Sequence, residues 1–305
     1  MIKADENFIS LIQEIKNNGF DSVEPRTKWS GGTPAHYKYT LPKCFTYDIS
    51  KGEFPIITLR PTAIKGGYHD IEAIYQKQTN IIEDMDKSIH SWWRDFIVNK
   101  TYGDKLYCEI HDIGKTYGDT IFRYDLMNNL LNNLKKDPFG RRNMIDMWQY
   151  QQMIDDPKAL VPCCFLSMYS VTKSGSINDE GKEIRYLHLS LIQRSMDVMM
   201  TFSINPTQYT LLGMMICSEL NNHYGKDCNF KYEMGTLTHF IQNPHIYDRH
   251  LKFVDEILER TPKNNQAIVK LKNDYKEFYD ITWDDFEVIG YEKPKPLSGK
   301  LEIAI

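Results

Sequence analysis

At 305 residues, with 41% apolar and 26% charged positions, the chain has the make-up of an ordinary globular protein with enough apolar side chains for a sizeable core. The length admits one large or two small domains. A net charge of −4 argues against a general nucleic-acid binder, and no apolar run approaches the ~20 residues needed to span a bilayer. The cysteines Cys44, Cys108, Cys163, Cys164, Cys217 and Cys228 show no paired metal spacing, and Cys163-Cys164 is not a Cys-x-x-Cys redox motif. With no signal peptide, reduced thiols in a cytoplasm are expected.

Phe8, Ile9, Ile12 and Ile15 fall at helical spacing, so residues 5–18 predict an amphipathic first helix. The loop from Glu24 to Pro34 carries Arg26, Lys28, Trp29 and Gly31-Gly32. Its composition suits a solvated turn, and Arg26 also suits closure over an anion. Phe45–Ile49 and Phe54–Leu59 read as strands around the turn Ser50-Lys51-Gly52. Trp92-Trp93, taken alone, read as packing. Tyr107–Ile110 leads into Gly114-Lys115-Thr116-Tyr117-Gly118. Leu126, Leu130, Leu131 and Leu134 predict a helix over Tyr124–Lys136, stopped by Asp137-Pro138-Phe139-Gly140. Arg141-Arg142 follow that turn, where arginines are usually solvated, ahead of an apolar strand Met144–Trp148.

Further on, Pro206–Asn222 predicts a buried helix with a capping signature. Asn205 stands at the cap, Pro206 at the first helical position and Gln208 three residues after the cap. A strand over Lys231–Gln242 precedes Asn243-Pro244-His245-Ile246-Tyr247, and Leu251, Val254, Ile257 and Leu258 form another helical face. With no internal repeat, linker or low-complexity segment, the chain reads as a single domain, 1–305.

The stretch from Leu160 to Asn205 concentrates the chemistry. Pro162-Cys163-Cys164 opens an apolar strand running to Val171. After a polar loop, Leu187, Leu189 and Leu191 alternate as in a half-buried strand that ends in Gln193-Arg194-Ser195-Met196-Asp197. Pairing these strands brings thiol and guanidinium together, and a nearby Arg favours the thiolate, the form that attacks carbon. The Arg fork also suits a phosphate or carboxylate. Pro-Cys, then Gln-Arg-Ser-x-Asp some thirty residues later, then Asn205, resemble the folate-dependent thymidylate synthase family with its cysteine nucleophile.

That resemblance extends over nearly the whole chain and implies an α+β fold, with a large twisted mixed sheet covered by helices and a homodimer packed through the sheets. It implies methylation of dUMP to dTMP with 5,10-methylenetetrahydrofolate as one-carbon and hydride donor, and no metal, nicotinamide, membrane or obligatory nucleic acid. Cys163 is then the nucleophile at C6 of uracil. Arg194, Arg26, Ser195 and Gln193 serve the nucleotide, and Arg141 and Arg142 reach the phosphate in the partner subunit. Asn205 reads the O4 and N3 edge of uracil, a use that competes with capping. His245 and Tyr247 hold the 3′-hydroxyl. Tyr117 assists proton loss from C5, while Arg60, Trp93, Asp197, Ala304 and Ile305 enclose the folate.

The same alignment puts a helix after Arg60-Pro61 and, through Gln76, Thr79 and Asn80, sets Asp70 where the family carries Glu. Asp is one methylene shorter, and Gly66-Gly67 weakens that helix by roughly 1 kcal/mol per Gly. Cys164 replaces a common His and reads as buried filler. Thr201–Ile204 replaces the common Gly-Leu-Pro-Phe. Asp70 and the altered loop keep open a deoxyuridylate hydroxymethylase of the same fold; a non-catalytic nucleotide- or RNA-binding relative is the other alternative, against which the joint presence of Cys163, Arg194, Tyr117 and Asp197 argues.

Overall fold

The computed structural model describes residues 1–102 and 109–305; Cys108 and the start of Tyr107–Ile110 lie outside the described residues. Helix α1 (Lys3–Asn18) buries Phe8, Leu11, Ile12 and Ile15, the predicted apolar face. Short strands β1 (Phe20–Asp21) and β2 (Tyr37–Tyr39) follow, then β3 (Lys43–Asp48). The next segment, Phe54–Leu59, is not a strand. Pro55 lacks a ladder donor, and side chains serve the following amides instead: Ile57 N–H donates to Ser203 Oγ and Thr58 N–H to Asp5 Oδ1. Phe54, Ile56, Ile57 and Leu59 are all buried, so the run is core-lining chain without pairing.

Helix α2 (Ile64–Ile71) does form across Gly66-Gly67 and continues as a π-helical turn, Glu72–Gln76. A short α3 (His90–Trp93), the hairpin β4 (Asn99–Tyr102) and β5 (Glu109–Asp112), α4 (Tyr117–Arg123) and α5 (Leu126–Lys136) come next. After β6 (Met144–Asp146) and α6 (Tyr150–Asp155) come two long paired strands, β7 (Cys164–Ile177) and β8 (Glu183–Gln193). They are followed by β9 (Met196–Asp197), α7 (Val198–Thr201), α8 (Ile204–Tyr224), β10 (Phe230–Ile241), β11 (Pro244–Tyr247) and α9 (Lys252–Leu258). A last hairpin joins β12 (Ile268–Leu271) to β13 (Phe286–Ile289).

The main sheet is mixed, with order β3-β10-β8-β7-β6; β8 and β10 run parallel and the other pairs are antiparallel. A second sheet has order β1-β2-β11-β9. The predicted strand through Asp197 is broken at Arg194-Ser195, where the chain leaves the first sheet and joins the second. Its parallel neighbour does the same at Gln242-Asn243. Pairing ends at Ile241↔Gln193 in one sheet and resumes at Pro244↔Met196 in the other. Gln242 N–H donates to Gln193 O and Met196 N–H to Asn243 O across the crossing. Two strands switching sheets together leave Arg194 and Ser195 at a seam, where their side chains need not obey strand alternation. Helix α8 lies beneath, buried along most of its length, which is why its apolar residues show no single stripe.

Candidate active site

Cys163 sits on the residue before β7, at this seam. Its backbone N–H donates to the Tyr117 hydroxyl at 2.9 Å, its carbonyl accepts from Arg194 N at 2.9 Å, and its Sγ lies 3.5 Å from Arg194 Nη2. Arg194 also donates from Nε to Pro162 O (2.9 Å) and from Nη2 to Val161 O (2.6 Å). The guanidinium thereby fixes the loop that carries the sulfur and stands beside it as a cation. Cys164 alternates to the buried face, and burial pushes its thiol well above the ordinary range. It is filler, as read from the sequence.

Tyr117 opens α4 at φ +37°, a conformation rare for an aromatic residue and costing of order 1–3 kcal/mol. Two neighbours hold it there. A Cβ on Gly118 would run into the backbone of Thr79, so only glycine allows that approach. Asn80 ties the same loop, accepting from Asp119 N–H at 3.0 Å and donating to Gly114 O. Burial raises the Tyr117 phenol well above its usual range, with the nearby Cys163 adding to the effect. Its oxygen already accepts from Cys163 N–H, so its own proton is available to donate.

Asp70, near the end of α2, is buried with both carboxyl oxygens engaged. Trp93 Nε1–H donates to Oδ1 at 2.8 Å and Gln208 Nε2–H to Oδ2 at 2.6 Å. Burial pushes the carboxyl up to about 6, against those two donors, which lower it. The Gly66-Gly67 pair has its reason here. A Cβ on Gly66 would lie 2.9 Å from the Trp92 ring, and one on Gly67 would lie 3.2 Å from Gln208 Cγ. The glycines let both side chains close on the helix that presents Asp70.

Asn205 is not the cap of α8. The helix begins at Ile204 after Ser203, whose hydroxyl donates to Pro55 O and contacts Thr62 Oγ1 rather than capping. Asn205 and Pro206 lie inside the first turn, where no intrahelical N–H partner is required and proline is tolerated. The capping reading fails for Gln208 too, since that amide is committed to Asp70. Asn205 makes no side-chain hydrogen bond to a described residue, so its amide is free for a ligand.

His245 is buried, and burial keeps it neutral. Its Nδ1 faces two acceptors, Asn243 Oδ1 at 3.0 Å and Asn243 O at 3.2 Å, so Nδ1 carries the proton. Nε2 is left as a lone pair, suited to accept from a hydroxyl. Tyr247 packs edge-on against both His245 and Trp29. Gln193 is 1% exposed, with Oε1 on His239 Nε2 and Nε2 on Ser195 O, both at 2.8 Å. Burial lowers His239 to about 3, so the ring is neutral and donates. Gln193 therefore braces the seam. The Ser195 hydroxyl has no partner among the described residues.

Asp197 caps α7 through Oδ1, accepting from Met199 and Met200 N–H, while Oδ2 lies 3.3 Å from His250 Nδ1 and accepts no hydrogen bond from a described residue. Arg60 makes no hydrogen bond to a described residue; burial lowers its guanidinium and the nearby Asp197 charge opposes this. Trp93 is buried, its ring against Tyr117 at 5.1 Å. Its indole N–H is spent on Asp70 and its ring packs edge-on against Tyr117, with 7% of the residue still exposed. Arg26 is exposed on its loop. The C-terminal residue pairs with that loop through Lys28 N–H to Ile305 O (2.6 Å) and Ile305 N–H to Lys28 O (2.9 Å), with Ala304 against the Trp29 cluster. Arg141 and Arg142, exposed before β6, have no partner among the described residues.

The thymidylate synthase profile matches residues 6–303 of the chain. The chain belongs to the thymidylate synthase family. It is 36% identical over 310 residues to the thymidylate synthase of Streptococcus thermophilus and 37% identical over 308 residues to that of Streptococcus pneumoniae, all of each chain being covered. The thermostable thymidylate synthase A of Bacillus subtilis, a solved structure, matches with a TM-score of 0.76 at 27% identity over 99% of both chains. The chain is thus a methyltransferase that makes dTMP from dUMP with folate, and its mixed-sheet α+β fold is that of the family. The alternatives of a hydroxymethylase and a non-catalytic relative give way to this. No helix among the described residues is long and apolar enough to cross a membrane.

Sequence reasoning missed Gln208 as a partner of Asp70, and Asn80 and Gly118 as supports of Tyr117. A Gly-Gly pair inside a helix was the one visible sign that something large packs there.

Proposed function

We propose that Cys163 carries the reaction as nucleophile at C6 of dUMP, within one catalytic unit spanning residues 1–305. The observation that supports it most directly is the sulfur held 3.5 Å from the Arg194 guanidinium, on a loop pinned by the same arginine. Attack at C6 turns the poorly nucleophilic C5 into the carbon of an enolate. Asn205, with one amide donor and one acceptor free, takes O4 and N3–H, a pattern that cytosine reverses. The unspent Arg194 donors, Ser195 and Arg26 hold the phosphate, with Gln193 bracing them, and the His245 lone pair with Tyr247 holds the 3′-hydroxyl. Asp70, whose carboxyl burial pushes up to about 6, and Tyr117 move the C5 proton through water.

The residues present also fit 5,10-methylenetetrahydrofolate. Asp197 Oδ2 accepts no hydrogen bond from a described residue and suits pterin N–H groups, Arg60 is a guanidinium without a hydrogen-bonded partner among the described residues for an anionic tail, and Ile305, the end of the tail, is 47% exposed. Ala304 and Trp93 complete that side. When bound, this co-substrate supplies the one-carbon unit and the hydride. A reaction with dUMP and 5,10-methylenetetrahydrofolate, read by nucleotide mass and folate oxidation state, is expected to give dTMP and equimolar dihydrofolate. Hydroxymethyl-dUMP with tetrahydrofolate would show that Asp70 does not support the reductive step.

The unpartnered Arg141 and Arg142, flanked by Phe139 and Met144 that are each 46% exposed, favour a homodimer in which these arginines reach the partner's phosphate. Mixing Cys163→Ala protein with an Arg141→Ala/Arg142→Ala variant is then expected to restore about a quarter of the parental activity. Half of randomly mixed dimers are hybrids with one intact site. No recovery, with subunit exchange verified by mass, means that the arginines act within their own chain. Five free thiols among the described residues suit a reducing compartment, in line with a cytoplasmic assignment.

A further inference from the structure

His250 has no part in the chemistry above, yet it touches three pieces of the site. It ends the 3-10 turn Asp248–His250 directly after β11 and is 1% exposed. Its Nε2 lies 3.0 Å from Glu302 O of the C-terminal tail. A carbonyl oxygen only accepts, so Nε2 carries the proton of that bond. Nδ1 is then turned toward Asp197 Oδ2 at 3.3 Å without hydrogen-bond geometry, and it makes no hydrogen bond to a described residue. The ring also packs edge-on against Trp29 (5.8 Å) and Tyr247 (5.9 Å).

The residue before it grips the same point of the tail. Arg249 Nη1 donates to Glu302 Oε2 at 2.6 Å, and its guanidinium lies 4.5 Å from the Trp29 ring. Glu302 is therefore held twice, by its backbone on His250 and by its side chain on Arg249. Three residues later Ile305 pairs with Lys28 of the Arg26 loop. Of the two holds, the Arg249 pair is exposed and worth little in water. The His250 bond is buried, and the other ring nitrogen faces Asp197 Oδ2 at 3.3 Å, the second Asp197 oxygen fixing the start of α7.

We propose that His250 is a positioning residue that couples Asp197 to the seating of the C-terminal tail, so that its contacts serve binding of the folate rather than of the nucleotide. This rests on the reading that Asp197 and the tail enclose the pterin. A side chain that orders both walls of one subsite before binding lowers the ordering cost at binding. Removing it therefore raises KM for the folate selectively.

His250→Ala and His250→Gln, the latter keeping an amide donor for Glu302 O, test this with two readouts. In the steady state, His250→Ala is expected to raise KM for 5,10-methylenetetrahydrofolate about tenfold and to leave KM for dUMP within about twofold. His250→Gln recovers part of the loss. Carboxypeptidase digestion of the protein alone, followed by mass, is expected to release Ile305 several-fold faster from His250→Ala than from the parent. An unchanged folate KM and release rate, or an equal rise in both KM values, overturns the coupling. Asp197→Asn separates the two levels. If it leaves the folate KM unchanged, the pterin reading itself fails; if it raises that KM while His250→Ala does not, only the role of His250 falls.

Discussion

Cys163→Ala is expected to lower dTMP formation by at least about 10⁴-fold, because without the covalent step C5 of uracil has no activated form to fall back on. Binding of dUMP should change by no more than a few-fold. The groups assigned to phosphate and 3′-hydroxyl are held by bonds that do not involve the sulfur, apart from one Arg194 N–H out of several. Cys164 cannot stand in. It points to the opposite, buried face of β7, where burial suppresses its thiolate. Single-turnover assays and isothermal titration with dUMP check both halves of the expectation. Residual turnover near the parental rate in the alanine variant would remove Cys163 from the mechanism. Cys164→Ser, by contrast, should keep activity within about twofold.

Asp70→Asn should act in opposite directions on activity and stability. Losing a carboxyl that titrates at about 6 is expected to cost about 10²-fold in kcat, the usual worth of one positioned proton-transfer group. The same burial that tunes this group makes it a burden on the fold. Its folded-state value lies above the unfolded value near 3.8, so its contribution to stability is whole below that pH and is lost as the pH rises through about 6. At pH 8 the carboxylate costs roughly 2–3 kcal/mol. Asparagine keeps an acceptor for Trp93, and the Gln208 amide can turn to accept. Part of that cost is then recovered, as a Tm rise of roughly 2–4 °C at pH 8. The gain should shrink steadily toward pH 4, where the parent carboxyl is already neutral. Thermal unfolding of both proteins from pH 4 to pH 8 checks the sign. A variant less stable than the parent at pH 8, or a difference independent of pH, would contradict the burial argument.

The trade is visible in the surroundings of Asp70. A shorter carboxylate is reached by a tryptophan and a glutamine, and two glycines give up helix propensity so that Gln208 and Trp92 can close on α2. Tyr117 shows the same economy, its strained backbone held by Asn80 and by a glycine pressed on Thr79. Strain and desolvation at both residues are offset by a core that runs from Ile2 to Phe286.

Much of this was legible in the linear chain. The apolar spacing of α1 and α5, the dense apolar run of α8, the alternation in β8, and the order Pro-Cys, Gln-Arg-Ser-x-Asp, Asn are local patterns, and local patterns survive in one dimension. The same locality explains the errors. Phe54–Leu59 has a strand's composition, but its amides are taken by Ser203 and Asp5, residues far away in sequence. Asn205, Pro206 and Gln208 have the form of a cap, but the helix starts at Ile204 and Gln208 faces Asp70 on another helix. The sequence by itself determined which residues carry charge, thiol and amide, and which segments must bury an apolar face. Only the tertiary structure decided where two parallel strands change sheets together, and so which donors meet at the sulfur. That crossing depends on contacts between residues tens to hundreds of positions apart, which no local period encodes.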